Sequence, residues 1–407
     1  MNKSIWFINK YSRIETEEEV GTRDFMILKE MVKIGNDCLL IKADDNHLAH
    51  SGSLNSRSSI SSAYGVSICQ LRTIKYSKAK SLKRILSWLD FEWNLFTLPK
   101  KQFVKPDVVV ASSLSLLSIL NGIAFKRKFK CKLVFEVRDI WPLTLTEEGG
   151  YSKRNLFIKA FAWVEKQGYR KADIVVGTMP NLKEHVAQIL GHEKETYCIP
   201  MGVHEAQIDY IGTLDSSYKN KYFPDDKVVI GYAGTIGITN ALDVFFECAR
   251  LMKDEERIRF LVIGSGDLKD QYVENTKDLG NVIFSPKIPK NMVPLALSEC
   301  SMVYFSTFKS KVWDYGQSLN KVIDYMLSGR PIIGSYSGFP SMINEAECGV
   351  FVPAEDAQAL RDAILRFANM SNEERDAIGA RGREWVIANR RFKKLAQNYL
   401  EIMFPQL

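Results

Sequence analysis

Short apolar segments and amphipathic segments alternate along this chain, and that alternation narrows the choice of folds more than any other feature. Residues 4–9 and 37–43 predict strands, and between them Phe25, Leu28 and Val32 fall on one face of a predicted helix. Further strands are predicted at 108–112, 131–137, 173–179 and 195–200. Strict alternation of strand and helix indicates a parallel sheet covered by helices on both faces.

The same alternation returns in the second half of the 407-residue chain. Strands are predicted at 227–234, 257–266, 281–286, 301–307, 330–335 and 348–354. Two such sheets predict an α/β protein with two doubly wound, Rossmann-like domains. We expect an N-terminal domain at 1–203, a C-terminal domain at 204–388, and a last helix within 389–407 that packs back on the N-terminal domain.

Three segments outside this alternation have simple interpretations. Residues 107–125 are apolar enough to suggest a membrane span, but their serines favour a strand followed by a helix. The serine-rich residues 50–62 predict a mobile loop. The first apolar run ends at Ile8, which is too short for a signal peptide. Seven scattered cysteines without a CxxC pair predict reduced thiols in a cytoplasmic protein.

The segment YGQSLNKVIDYMLSGRP, residues 315–331, predicts a helix that begins after the N-cap Ser318. Free amides at its start, together with Lys321, suit a phosphate group. Asp324 shares a helical face with Asn320 and Lys321, and its carboxylate can accept hydrogen bonds from ribose hydroxyls. The pattern therefore indicates a nucleoside diphosphate site, although a solvated helix face with one N-cap explains the same spacing.

Two glycine motifs lie at predicted strand ends. GSG at 264–266 lacks the third glycine of a dinucleotide fingerprint, so it predicts a tight strand-to-helix turn near the ligand rather than an NAD site. Gly234 in GYAG lets the backbone approach a ligand closely, or simply serves a turn. The chain has no DxD motif and its histidines have no ligand spacing, so no metal site is expected.

Taken together, several motifs resemble the retaining glycosyltransferases of family four, which have the GT-B fold. The segment at 315–331 resembles their donor-site helix, and GTRDF at 21–25 resembles their glycine loop. FEVRDIWPLT at 135–144 resembles a motif of transferases that move aminosugars of the L-fucosamine type. IPMGV at 199–203 is similar to the family's interdomain linker. The resemblance implies two Rossmann-like domains that face each other across a cleft.

The resemblance also implies site residues. Those expected to bind the donor, a nucleotide sugar, are Gly21, Thr22, Gly234, Thr235, Lys287, Gly316, Ser318, Asn320, Lys321 and Asp324. Arg138, Asp139 and Glu136 follow or end a strand and are the candidate catalytic residues, because open α/β sheets bind ligands at that edge. A buried salt bridge that shapes the loop is the alternative for these three residues.

The chain departs from the family pattern at the donor site. Gly316 stands at the first glutamate position, and Asp324 replaces the second glutamate with a shorter side chain. The basic residues that many relatives carry after GTIG are missing from residues 235–243. Another cation must then face the diphosphate. Lys321 and Lys287 are the candidates, with Lys309 behind them.

Positive charge is concentrated in the first half. Residues 1–200 carry a net charge of +10 and residues 201–407 a net charge of −3. Residues 72–105 hold nine basic residues interleaved with tryptophan and phenylalanine, which is typical of a surface that lies on anionic lipid. We expect Lys80, Lys83, Arg84 and Trp88 to face the membrane. No nucleic-acid-binding module is recognisable, and a solvated helix that packs into its own domain is the alternative.

The sequence therefore predicts a cytoplasmic, peripheral membrane enzyme without a cofactor. It would transfer a sugar, such as N-acetyl-L-fucosamine, from a UDP-sugar to a lipid-linked saccharide during bacterial capsule or O-antigen synthesis. A UDP-sugar 2-epimerase of the same fold and a non-catalytic nucleotide-binding protein are the rival hypotheses.

Overall fold

The computed structural model describes residues 2–16, 20–44, 54–76, 82–208 and 212–405. The chain forms two compact units. The first unit comprises Met1–Pro200 and Phe392–Leu407, and the second comprises Met201–Arg391. The chain thus passes between units after Pro200 and again after Arg391, each within three residues of the boundaries expected at 203 and 388.

The first unit is built on an eight-stranded sheet within the described residues. Its strands are Ser4–Ile8 (β1), Asp37–Ala43 (β2), Ser58–Ala63 (β3), Val66–Leu71 (β4), Val108–Ser112 (β5), Lys132–Val137 (β6), Ile174–Gly177 (β7) and Thr196–Cys198 (β8). Its helices before the crossing are Arg23–Lys33 (α1), Leu82–Thr97 (α2), Ser118–Phe129 (α3), Leu143–Glu147 (α4), Leu156–Lys171 (α5) and Leu182–Leu190 (α6). The strand order is β3-β4-β2-β1-β5-β6-β7-β8.

A six-stranded sheet forms the centre of the second unit in the same described part of the chain. Its strands are Val228–Ala233 (β9), Ile258–Ile263 (β10), Val282–Ser285 (β11), Met302–Ser306 (β12), Ile332–Ser335 (β13) and Gly349–Val352 (β14). Its helices are Glu205–Ile208 (α7), Ser216–Tyr222 (α8), Asp243–Leu251 (α9), Lys269–Asn275 (α10), Val293–Ser298 (α11), Asn320–Leu327 (α12), Met342–Glu345 (α13), Ala357–Ala368 (α14) and Asn372–Arg390 (α15). The strands are parallel, in the order β11-β10-β9-β12-β13-β14.

Successive residues of these strands belong to different apolar clusters. Val229 and Val303 pack into one cluster, and the residues that follow them, Ile230 and Tyr304, pack into another. Side chains alternate between the faces of a strand, so each sheet face carries its own core. This confirms the predicted parallel sheet with helices on both faces.

The last helix, Phe392–Met403 (α16), returns to the first unit and packs against α1. Leu395 and Tyr399 are buried in the same apolar cluster as Phe25 and Leu28 of α1. The spacing of the buried residues Phe392, Leu395, Ala396, Tyr399 and Met403 is that of one helical face. Helix α16 therefore belongs to the core of the unit that also contains β1 and α1.

Sequence patterning failed at the start of the first sheet. Residues 58–62, which were expected to belong to a mobile loop, lie in β3, and residues 50–53 of that prediction lie outside the described residues. β3 is mostly exposed and pairs antiparallel with β4. Because backbone hydrogen bonds to β4 hold this edge strand, it needs no apolar side chains, and its serines hide it from a search for hydrophobic periodicity.

The apolar stretch at 107–125 forms β5 and the beginning of α3, as predicted. Among the helices of the described residues, none has the length and apolar character that crossing a membrane requires.

Candidate functional site

The strongest candidate site is a cavity of about 420 Å³ inside the second unit, which we call the lysine pocket. It lies at the carboxyl ends of β9 and β10 and at the start of α12, where doubly wound sheets bind their ligands. Six of the predicted donor-binding residues line it: Gly234, Thr235, Lys287, Asn320, Lys321 and Asp324. Lys290, Asn240, Gly264 and Ser265 line it as well.

Glycines allow the floor of this pocket to form. The turns after β9 and β10 lie side by side: the Ile236 amide donates to the Ser265 carbonyl at 2.9 Å. A Cβ atom at Gly264 would lie 2.0 Å from the Gly234 carbonyl oxygen. Gly266 has a φ of +159°, and its Cβ would lie 2.2 Å from the Ile236 carbonyl oxygen. GSG is thus the tight turn that the sequence predicts, and backbone packing explains its glycines.

The beginning of α12 differs from the prediction by one residue. Its N-cap is Leu319, whose side chain makes no capping bond, and not Ser318. The Ser318 hydroxyl instead accepts a hydrogen bond from the Met201 amide at 3.2 Å. Leu319 has extended backbone angles, and its amide donates to the Gln317 side chain at 3.2 Å. Ser318 therefore fixes the start of the second unit, and neither it nor Gly316 lines the lysine pocket.

Lys321 reaches into the pocket from the first turn of α12. Its Nζ donates to the Asn240 side-chain oxygen and lies 5.0 Å from the centre of the Tyr232 ring. Burial lowers the pKa of Lys321 to about 8, because desolvation disfavours the charged ammonium. An anionic ligand would supply the countercharge that this lysine lacks among its hydrogen-bond partners.

Asp324 is only 4% exposed and is held from two sides. Gln207 Nε2 donates to its Oδ1 at 3.0 Å, and Lys290 Nζ forms an ion pair with its Oδ2. Burial raises the pKa of this carboxyl group, and Lys290 and Gln207 act in the opposite direction. The Lys290 side chain is 57% exposed, so the ion pair joins a buried acid to a cation at the pocket mouth.

The site residues predicted from the sequence include neither Lys290 nor Gln207, and Asn240 is not among them although it lies in the segment after GTIG. Lys290 follows Lys287 by three residues in KIPK, a spacing that could have suggested a second cation at the diphosphate. Asn240 and Gln207 carry no such signal, because uncharged amides are common on protein surfaces. Lys309, the weakest lysine candidate, does not line the pocket, and its amide donates to the Glu355 side chain at 3.3 Å.

Glu136 lies in the core of the first unit and does not fit its predicted catalytic role. Glu136 is fully buried on β6, and Arg23 Nη1 forms an ion pair with Glu136 Oε1 at 2.7 Å. Arg23 also donates to the carbonyls of Ile199 and Pro200 at 2.6 Å and 2.8 Å. The pair therefore ties β6 and α1 to the last residues before the chain crosses into the second unit, and it is the buried salt bridge considered as the alternative.

Arg138 and Asp139 follow β6 at the carboxyl edge of the first sheet. The Ser113 hydroxyl accepts from their amides at 2.9 Å and 3.2 Å, which fixes the loop backbone. Asp139 is exposed. Their position suits ligand contact, and their catalytic role stays a prediction.

Gly21 and Thr22 belong to the first unit. The Thr22 hydroxyl accepts from the Arg13 amide at 3.0 Å, and a Cβ atom at Gly21 would lie 2.8 Å from the Phe25 ring. Both residues thus position the segment before α1, and donor binding by them stays a prediction.

The residues expected to face a membrane differ in how exposed they are. Lys80 lies outside the described residues, and Lys83 is exposed. Trp88 is 7% exposed and donates to the Tyr11 hydroxyl, so its predicted membrane-facing position is wrong. The Arg84 guanidinium lies over the Trp88 ring at 5.3 Å and is partly covered. The exposed face of α2 instead carries an apolar stripe: Leu86 at 51%, Leu89 at 54%, Trp93 at 64% and Phe96 at 58% exposure.

Known proteins resemble the chain in two ways. Residues 227–370 match the family model described as glycosyl transferases group 1. No curated protein sequence matches the chain. A sucrose-phosphate synthase from Thermosynechococcus elongatus superimposes with a TM-score of 0.73 at 17% identity, covering 98% of both chains.

Two other solved structures contain uridine nucleotides. The E. coli trehalose-6-phosphate protein bound with UDP-2-fluoro glucose has a TM-score of 0.75 and 11% identity, covering 100% of this chain and 99% of that chain. HepE from Anabaena, in complex with UDP and glucose, has a TM-score of 0.60 and 12% identity, covering 98% and 99%. The chain has the GT-B fold, and its second unit is similar to the glycosyl transferases group 1.

Proposed function

We propose that the chain is a retaining glycosyltransferase that takes its sugar from a UDP-sugar bound in the lysine pocket. One observation carries the proposal: Asp324 and Lys321 meet in a single cavity at the carboxyl edge of the second sheet. A buried carboxylate and a lysine one turn apart suit the ribose and the diphosphate of one nucleotide. The family match of residues 227–370 and the uridine nucleotides bound by structural neighbours support this assignment.

Each pocket residue has a role in the proposed reaction. Asp324 accepts hydrogen bonds from the ribose hydroxyls, for which Lys290 must leave its carboxylate. Lys290 then turns to the diphosphate, beside Lys287 and Lys321. These cations and the amides at the start of α12 stabilise the negative charge that develops on the leaving diphosphate. Because lysines supply this charge, we expect the reaction to need no metal ion.

The acceptor in this proposal is a lipid-linked saccharide at an anionic membrane surface. The positive first half and the exposed apolar stripe of α2 support a peripheral membrane position. The resemblance of residues 135–144 supports an aminosugar donor such as N-acetyl-L-fucosamine, used in capsule or O-antigen synthesis.

A panel of nucleotide sugars tests the proposal. We expect calorimetry to detect UDP and at least one UDP-sugar, with equal affinity in the presence of EDTA. Lipid-linked saccharides should then receive the sugar with its anomeric configuration retained, as read by NMR. Failure of every UDP-sugar to bind refutes the donor assignment. Epimerised sugar released without an acceptor would identify the rival epimerase, and binding without turnover would identify a nucleotide-binding protein.

A further inference from the structure

A second cavity, of about 870 Å³, lies in the first unit between the β3–β4 hairpin and α2. We call it the arginine groove, after Arg57 and Arg72. Arg57 directly precedes β3 and Arg72 directly follows β4, and the Arg72 amide donates to the Arg57 carbonyl at 3.0 Å. β4 runs parallel to β2, so the groove opens at the carboxyl edge of the sheet, where α/β folds bind ligands.

Positive charge prevails in this groove. Both arginines are exposed, and Lys75 is paired with Asp44 at 2.7 Å. Asp90 is the only acidic residue among those that line the cavity in the described part of the chain. Its carboxylate oxygens accept from the Ile74 amide at 2.9 Å and from the Asn94 side chain at 3.1 Å. Two arginines therefore face one aspartate whose oxygens already have donors.

The guanidinium groups of Arg57 and Arg72 differ in the hydrogen bonds that they already make. Arg57 Nε donates to the Asn94 side chain at 2.9 Å, and its Nη2 donates to Thr97, which holds the group in place. The Arg72 side chain makes no hydrogen bond or ion pair within the described residues, so its donors remain available. Guanidinium groups bind phosphate oxygens through parallel hydrogen bonds, and a fixed group loses less entropy on binding.

The groove continues into the apolar stripe of α2. Trp93 lines the groove and also belongs to that stripe, with 64% of its surface exposed. Leu89 and Phe96 lie on the same exposed face. An anionic site that borders an apolar surface fits a ligand that joins a phosphate to a sugar or to a lipid chain.

We propose that the arginine groove binds the phosphate of a phosphorylated acceptor, through Arg57 and Arg72, with Trp93 covering the group attached to it. This proposal rests on the proposed function, because it specifies that the acceptor of that enzyme carries a phosphate group. A lipid-linked diphosphate and a soluble sugar phosphate share this chemistry, and they differ in their need for the apolar stripe.

Direct binding tests the groove without requiring catalysis. The probe is inorganic diphosphate, measured by calorimetry on the full chain carrying Lys321→Ala, which weakens diphosphate binding in the lysine pocket. In that background, Arg72→Ala should weaken binding about tenfold through the loss of charge-assisted hydrogen bonds. Arg170→Ala removes an exposed arginine at the end of α5 and should have no effect.

Two further probes separate the sources of the phosphate. Farnesyl diphosphate should bind more tightly than inorganic diphosphate and lose that advantage in Trp93→Ser if the acceptor is lipid-linked. Glucose 6-phosphate should be the tighter ligand if the acceptor is soluble. Equal affinity for all phosphates in Arg72→Ala and in its parent, with unchanged thermal stability, overturns the groove. UDP binding to the wild type is measured in parallel, so failure of the groove is distinguished from failure of the proposed function.

Discussion

Lys321 is a partly buried cation whose hydrogen-bond partners carry no negative charge. Its hydrogen-bond partners, the Asn240 side-chain oxygen and the Tyr232 hydroxyl at 3.5 Å, are neutral. Desolvation alone accounts for the lowering of its pKa to about 8. The diphosphate of a nucleotide would stabilise the ammonium form, so binding of the ligand and protonation of Lys321 favour each other.

This coupling predicts a pH dependence of donor affinity. UDP-glucose carries no titrating phosphate proton near neutrality, so its affinity should stay level from pH 6 to 7. Above pH 8 the free enzyme loses the Lys321 proton, and affinity should fall by up to about tenfold per pH unit. Calorimetry across this range measures the slope. Lys321→Met should bind weakly with a flat profile, and an equal slope in that variant would assign the titration to another group.

The proposed role of Asp324 in donor binding can be tested separately. Asp324→Ala would remove the proposed acceptor for the ribose hydroxyls, and charge-assisted hydrogen bonds contribute about 1.5–3 kcal/mol. UDP affinity should therefore fall by about tenfold to a hundredfold in calorimetry. The matched control is Asp278→Ala, which breaks the exposed ion pair with Arg250 outside the pocket. Unchanged UDP affinity in a folded Asp324→Ala protein would place the ribose elsewhere.

At the scale of elements, the lysine pocket depends on two turns that touch through their backbones. The turns after β9 and β10 approach so closely that Gly264 has no space for a side chain. Its φ of +150° is also rare for residues with a Cβ atom. The helix start at α12 then closes the pocket from the third side. The ends of β9 and β10 and the start of α12 thus bring residues as far apart in the chain as Gly234 and Asp324 into one cavity.

Gly264→Ala tests this backbone contact. The added methyl group must push the Gly234 carbonyl away, so we expect a loss of about 2 kcal/mol or more in the free energy of unfolding. UDP affinity should fall at the same time, because the pocket floor moves. Urea denaturation and calorimetry measure the two effects. Gly280→Ala is the control, since nothing lies within 4 Å of its added Cβ. Equal stability of both variants would show that the turns can separate freely.

At the scale of the whole molecule, several exposed apolar side chains of the first unit lie on three neighbouring helices, α2, α3 and α5. α3 contacts both α2 and α5. In addition to the stripe of α2, Leu120 of α3 is 39% exposed, and Leu156 and Trp163 of α5 are 81% and 57% exposed. Exposed apolar groups on a positively charged half of the chain are typical of proteins that bind anionic membranes.

Vesicle co-sedimentation should show that the chain binds anionic vesicles through these apolar side chains. Each exposed apolar side chain contributes about 1.5 kcal/mol when it enters lipid, so Leu89→Ser with Trp93→Ser should lower partitioning onto anionic vesicles by roughly a hundredfold. Lys83→Glu should weaken it further, and salt should do the same, because the Debye length shrinks from about 10 Å at 0.1 M to about 3 Å at 1 M.

The control for this experiment replaces exposed apolar residues of the second unit. Leu251 and Val273 are 53% and 43% exposed, and Leu251→Ser with Val273→Ser should leave vesicle binding unchanged. Equal binding of both double variants, or equal binding to neutral vesicles, would reduce the stripe to an ordinary exposed helix face.

Sequence patterning was sufficient where a residue's role depends on its near neighbours. The alternation of apolar segments predicted the two parallel sheets, because strands buried on both faces need apolar runs. GSG predicted a tight turn, and the spacing of Lys321 and Asp324 predicted a shared helical face that the lysine pocket bears out. By contrast, β3 was missed, since an exposed edge strand is held by its backbone and leaves no apolar pattern.

Contacts between distant segments were decided only by the tertiary structure. Glu136 and Trp88 carry chemistry that suggested catalysis and membrane contact, but Arg23 and Tyr11 bury them in the first unit. Lys290 and Gln207 reach Asp324 across 34 and 117 positions. Local patterns follow from helix and strand periods, which the sequence alone determines. The partner that neutralises or buries a polar side chain is set by how elements pack, and spacing along the chain does not record it.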